Sequence, residues 1–174
     1  LRLTNWFAIT GGPCSGKSTV VAALQGRGYE IVEEVALILI SQELAKGISL
    51  DQVRSDEKQF QRRILEAKVE IERKLAPEKI VFLDRGLPDS MSYWRGAGLD
   101  LSPVIEVSKE LRYRKVFFFE RLPMQSEGFR TEDDEQAELL AKEHAQDYTE
   151  LGYELIRVPV MSVEERVKFI VSHI

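Results

Sequence analysis

Residues Gly11-Gly12-Pro13-Cys14-Ser15-Gly16-Lys17-Ser18 satisfy the spacing G-x-x-x-x-G-K-[ST] in full. The chemistry that this spacing suits is the holding of a nucleoside triphosphate. Gly11, Gly12 and Gly16 let main-chain N–H groups approach a phosphate where a side chain would obstruct them, and Pro13, Cys14 and Ser15 complete the loop. A helix opening at the loop adds unpaired N–H groups and the positive end of its dipole. Lys17 is then expected on the β- and γ-phosphates, the Ser18 hydroxyl on Mg²⁺ and the Thr19 hydroxyl on the α-phosphate. Cys14 occupies a variable position of the pattern and reads as an inert loop residue.

A second acidic site follows downstream. Ile80-Val81-Phe82-Leu83 is an uninterrupted apolar run finished by Asp84. A carboxylate placed there beside the phosphates can hold Mg²⁺ or its water shell, or take a proton from an acceptor hydroxyl. Arg85 comes next, a side chain suited to clamp an anionic group. Glu33 and Glu34 close the second strand, on the sheet edge where parallel folds place ligands, so the base is one of Asp84, Glu33 and Glu34. Arg121 and Arg130 flank Gly128 in a polar segment, residues 120–132, expected to be a mobile lid. Arginines on such a lid neutralise the charge of phosphoryl transfer, Arg130 in the transition state and Arg121 on the bound nucleotide. His144 and His173 lie on helices without metal-ligand spacing and read as structural, and Arg112, Arg114 and Lys115 read as a solvated helix end.

The elements that must position these groups alternate between strand and helix, the pattern of a parallel sheet covered on both faces. Five strands are expected, at 6–10, 29–32, 80–84, 115–119 and 154–158. Helices are expected at 18–25, 34–46, 57–75, 88–96, 103–111 and 133–151, with a last one opened by the capping box of Ser162 and Glu165. In the long helix, Phe60, Ile64, Ala67, Ile71 and Leu75 form an apolar stripe. The greasiest run, residues 35–40, reads as a buried helical turn or two. The fold expected is α/β of three-layer α/β/α type, a single domain over residues 1–174.

Composition narrows the class. In 174 residues, 44% are apolar and 30% charged, a globular balance. Lys plus Arg is 24 against 29 Asp plus Glu, a net charge of -5, which argues against nucleic acid as a partner. Cys14 is the only cysteine, so no intrachain disulfide forms and a reducing compartment, the cytoplasm, is expected. No run approaches the ~20 apolar residues of a membrane span, and the N-terminal residues lack the basic and apolar segments of a signal peptide.

Taken together, residues 9–18 and 81–89 resemble the AAA-type ATPase/kinase domain family related to NadR, a likeness running on to Gly152-Tyr153-Glu154 and to residues 162–167. The Asp84-Arg85 pair also looks like that of thymidylate and deoxynucleoside kinases, and Glu127-Gly128-Phe129-Arg130 is similar to the lid of ribosylnicotinamide kinases. The resemblance implies a P-loop sheet of nucleoside-kinase type in which the third strand lies beside the first, bringing Asp84 next to Lys17. It implies ATP or GTP with Mg²⁺, and the turn at Pro159-Val160-Met161 beside the base. One departure stands out: Leu37 occupies the place where the family carries an arginine after the strand-two acid. The function expected is transfer of the γ-phosphoryl group to a small hydroxyl-bearing metabolite such as a nucleoside or ribosyl compound. The alternative is a nucleotide hydrolase or regulatory switch without an acceptor. A Ras-like form of that alternative lacks support, because the sequence contains no N-K-x-D string.

Overall fold

The structure is a computed structural model that describes residues 1–122 and 132–174. Its centre is β2 (Trp6–Gly11), every residue of which is buried. A strand apolar on both faces can sit only in the middle of a parallel sheet with helices above and below. That is where β2 lies. With β3 (Glu30–Val32), β4 (Val81–Asp84), β6 (Lys115–Phe119) and β7 (Leu155–Val158) it forms a five-stranded sheet of order β3-β4-β2-β6-β7. Each pairing is parallel.

Alternate side chains of the strands feed two cores. Phe7, Ile9, Phe82 and Phe117 pack with α1 (Lys17–Gly26) and α8 (Val163–Val171) on one face. Trp6, Ala8, Leu83 and Val116 pack on the other with α4 (Glu57–Lys74), α5 (Ser90–Gly96) and α7 (Glu132–Glu150). The three-layer α/β/α arrangement is therefore as expected. So is the capping box of α8, where the Ser162 hydroxyl accepts from the Glu165 N–H.

Several local expectations need correction. Residues 35–40 are helical, within α2 (Val35–Ala45), but only Val35 among them is buried, and Leu37 is 54% exposed. The helix packs on α4, with Ala36, Leu39 and Ile40 set against Phe60 and Ile64, while Leu37 and Ile38 line a cleft. Between α2 and α4 lies a short α3 (Leu50–Arg54), started by a Ser49–Gln52 capping box. Helix α6 (Ser102–Ser108) stops short of residue 111, because β5 (Leu111–Arg112) pairs with β1 (Arg2–Leu3) in a small separate sheet. Arg112, Arg114 and Lys115 are thus not a helix end. Arg112 lies 3.8 Å over the Tyr153 ring, and Lys115 begins β6.

On α4 the buried face is rotated from the expected stripe. It comprises Phe60, Gln61, Ile64, Leu65, Lys68 and Glu72. Two charged side chains are buried where periodicity pointed to Ala67 and Ile71. Of the segment 120–132, Gly128 and Arg130 lie outside the described residues.

Candidate active site

Strand β2 ends in the phosphate loop, and the glycines there are required by contact. Gly11 has φ +139°, and a Cβ on it would lie 2.7 Å from the Phe119 carbonyl oxygen. A Cβ on Gly12 would lie 2.8 Å from the Ala141 Cβ. Gly16, with φ +79°, is the N-cap of α1. Inside the loop the Lys17 ammonium donates to the carbonyls of Gly11 (3.3 Å) and Gly12 (2.8 Å) and to Ser15 Oγ (3.0 Å). Burial, with Arg85 nearby, pulls its pKa down to about 8. The structure thus brings Lys17 into the bowl of the loop. Ser18 and Thr19 stand exposed at the first turn of α1, while Pro13 and Cys14 border a cavity on the opposite side.

The register of the sheet sets Asp84 against Ile9, one strand away from the loop, as the family resemblance implied. Its Oδ1 is buried without a hydrogen-bond partner. Burial first, then the charge of Glu34, raises its pKa to about 6. Asp84 shares a cleft of about 540 Å³ with Ser18, Glu33 and Glu34. An orphaned carboxylate oxygen and a hydroxyl in one cleft are hard oxygen donors of the kind Mg²⁺ takes together with phosphates and water. Among the described residues no three of His, Cys, Asp and Glu gather into an all-protein metal cage.

Arg85 has φ +69°, a strained conformation for a residue with a side chain, and it is held there from several sides. Its N–H donates to the Ile9 carbonyl (2.9 Å). Its guanidinium donates to the Gly11 carbonyl (3.2 Å) and to Asp89 Oδ1 (3.1 Å), and its Nε lies 3.3 Å from Glu34. Asp89 in turn accepts from Thr10 Oγ1 (2.5 Å), the Tyr148 hydroxyl (2.7 Å) and the Gly86 N–H (3.0 Å). These donors, with His144, Arg85 and Lys68 close by, hold its pKa down at about 2 in spite of burial.

His144 is fully buried, 3.1 Å from both Arg85 Nη1 and Ser92 Oγ. Burial keeps its pKa down near 3, so it is neutral. Its place is against the site arginine.

Arg121 donates to the Asp134 carbonyl (3.2 Å) and lines a cavity with Pro13 and Cys14, separate from the cleft that holds Asp84. Three contributors went unnoticed in the sequence. Arg166 donates to the carbonyls of Ser15, Pro159 (2.9 Å) and Glu120 (3.3 Å), tying the loop to the turn after β7. Lys68 donates to the Gly86 carbonyl (2.9 Å), and Glu72 accepts from the Tyr113 hydroxyl (3.0 Å). Nothing in their local sequence separates them from surface charges.

The AAA domain family matches residues 6–166. The chain belongs to that family. Within it, the AAA domain described here has the P-loop kinase fold, with NadR among its structural neighbours. Thymidylate kinase from Ehrlichia chaffeensis superposes with a TM-score of 0.67 at 14% identity, covering 99% of each chain. NadR, in a complex with NAD and AMP-PNP, gives 0.70 at 16% identity over 97% of this chain and 49% of its own, so this chain spans about half of NadR. Deoxyadenosine kinase from M. mycoides, with bound dCTP, gives 0.64 at 17% identity over 97% of both chains. No curated protein matches the sequence. At these identities the likeness is one of fold. No helix among the described residues is long and apolar enough to cross a membrane.

Proposed function

We propose that this AAA domain is a Mg²⁺-dependent phosphotransferase that moves the γ-phosphoryl group of ATP, or of GTP, to the hydroxyl of a small metabolite. The observation that carries this reading is the Asp84 oxygen, buried without a partner in one cleft with Ser18 and Glu34, beside the lysine of a phosphate loop. Nature seldom leaves such an oxygen unsatisfied unless a ligand completes it.

In this reading the loop amides and Lys17 hold the donor, and Thr19 and Arg121 add contacts on its flanks. Ser18 and Asp84 would hold Mg²⁺, which when bound neutralises charge on the β- and γ-phosphates. Glu34 borders both the large cleft and a smaller pocket behind it, so it is placed to accept the acceptor's proton. As the acceptor oxygen bonds to the γ-phosphorus, the bond to the β-bridging oxygen breaks and the nucleoside diphosphate leaves. Arg85 steadies Glu34, and Arg130 is assigned to the charge that spreads in the transition state. Nucleosides and ribosyl compounds are the first acceptors to test, since a deoxyadenosine kinase shares the fold.

The test is a screen of small alcohols with labelled ATP and Mg²⁺, with Lys17→Ala as control. A phosphorylated product, lost in the variant, is the expected outcome. Phosphate release indifferent to every acceptor would establish a hydrolase or switch in its place. Arg130→Ala should lower turnover about tenfold or more at saturating substrates, and unchanged turnover removes Arg130 from the site.

A further inference from the structure

Behind Glu34 lies a second, smaller pocket of about 110 Å³. Its walls come from α2, α3, α4 and α5, and most of its lining is apolar, with Leu37, Ile40 and Ile64 prominent. Three cations also border it: Arg54, Lys68 and Arg85. Among the described residues, Glu34 is the only carboxylate on its wall.

The carboxylates around the pocket have other partners. Glu34 is taken by Arg85, at 3.3 Å. Asp89, behind the wall, is also taken by Arg85 and by three further donors. Glu72 accepts from Tyr113, and burial pushes its pKa up to about 8, toward the neutral form. Lys68 is 5% exposed, and its ammonium meets a carbonyl, that of Gly86, and no carboxylate at ion-pair distance among the described residues. Arg54, at the exposed end of α3, rests its guanidinium 5.7 Å from the Phe60 ring centroid and is likewise without an ion pair there. Burial pulls the Lys68 pKa down, against the pull of Asp89 and Glu72 from beyond ion-pair distance, and an anion brought next to it in an apolar pocket is held far more strongly than in water.

We propose that the acceptor alcohol carries an anionic group, a carboxylate or a phosphate, and that this pocket receives it with Lys68 and Arg54 as counter-charges. The proposal rests on the phosphotransferase reading and narrows its substrate class. Because Glu34 borders both cavities, an acceptor seated this way has its anionic end in the small pocket and its hydroxyl toward the phosphate loop. Leu37 lines both cavities, so it puts a bare apolar wall at their junction.

The experiment compares matched pairs with Mg²⁺ and ATP, scoring phosphorylation at the hydroxyl: nucleoside 3′-monophosphates, which keep the 5′-hydroxyl, against nucleosides for the phosphate arm, and hydroxy acids against their amides for the carboxylate arm. In one arm the anionic member is expected to show kcat/KM at least tenfold above its neutral partner. Arg54→Met should raise KM for that anionic acceptor tenfold or more and leave KM for the neutral one in place. Arg54 is exposed, so this variant folds even if Lys68→Met does not. Neutral members used as well as or better than anionic ones, in both arms, overturn the proposal. Should no compound be phosphorylated, the same pairs are titrated in the presence of a non-hydrolysable ATP analogue, following protein fluorescence. Tighter binding of the anionic members, weakened by Arg54→Met, upholds the proposal, and equal binding rejects it. Absence of Mg²⁺-dependent ATP binding by the wild-type chain is a separate result, which rejects the phosphotransferase reading itself.

Discussion

Asp84 illustrates how a single carboxylate can work against the fold that carries it. Its pKa is raised to about 6 by burial and by Glu34, so its ionised form weakens the folded state at neutral pH. A residue kept under such a penalty is a functional candidate. Asp84→Asn removes the charge and keeps the shape. It should hold or raise the melting temperature while Mg²⁺-dependent turnover falls about 100-fold. Parallel losses of stability and turnover would return Asp84 to a structural role. Arg85 differs, since it is bound from Gly11, Glu34 and Asp89 at once. Its positive φ is over-determined by those partners, which fixes the guanidinium between the phosphate loop and the smaller pocket.

At the scale of elements, the phosphate loop is held against two neighbours through glycines. Gly11 touches β6 and Gly12 touches α7, so both contacts bring backbone to within a methyl group's width. Gly12→Ala puts a Cβ at 2.8 Å from Ala141 Cβ and 3.1 Å from the Ala137 carbonyl. Helix α7 must shift outward, at a cost of about 1–3 kcal/mol, measurable by urea denaturation. Ala141→Gly in the same chain should recover part of the loss, as expected of residues in direct contact. Full additivity of the two substitutions would show that the clash is relieved elsewhere. From the other side Arg166 of α8 bonds the Ser15 carbonyl, so the loop is braced from three elements distant in sequence.

For the whole molecule, the polar network behind the site should set the acid limit of stability. His144 has its pKa held near 3 by burial, against 6.5 when free. Below pH 6.5 the unfolded chain gains a proton that the folded chain refuses, so His144's contribution is fully present above 6.5 and is lost as pH falls toward 3. Asp89, held at about 2, adds a loss of the same sign below its ordinary 3.8. Glu72 runs the other way, since its pKa of about 8 costs stability as pH rises from 4.5 to 8. His144→Gln should therefore flatten the decline between pH 6.5 and 3 by up to a few kcal/mol, read from denaturation midpoints at each pH. Identical slopes in wild type and variant would mean that His144 takes up its proton at the same pH in the folded and unfolded chain.

What the sequence determined by itself is whatever is encoded locally. The phosphate loop, the helix it opens, the acid at the end of an apolar strand and the five strands of the main sheet all follow from spacing and period. Such signals need no knowledge of distant residues. Tertiary structure alone decided which charged residues are buried. Lys68 and Glu72 sit on a helix that reads as solvated on that side, and they are interior only because the Gly86 loop and Tyr113 close over them. The same holds for Arg166, for His144 beside Arg85, and for the two-residue strands β1 and β5, too short to show alternation. The shape of the smaller pocket has this origin too, since it is bounded by four helices brought together by packing. Burial and pairing are properties of contacts between residues far apart in the chain, and a pattern read along the chain cannot express them.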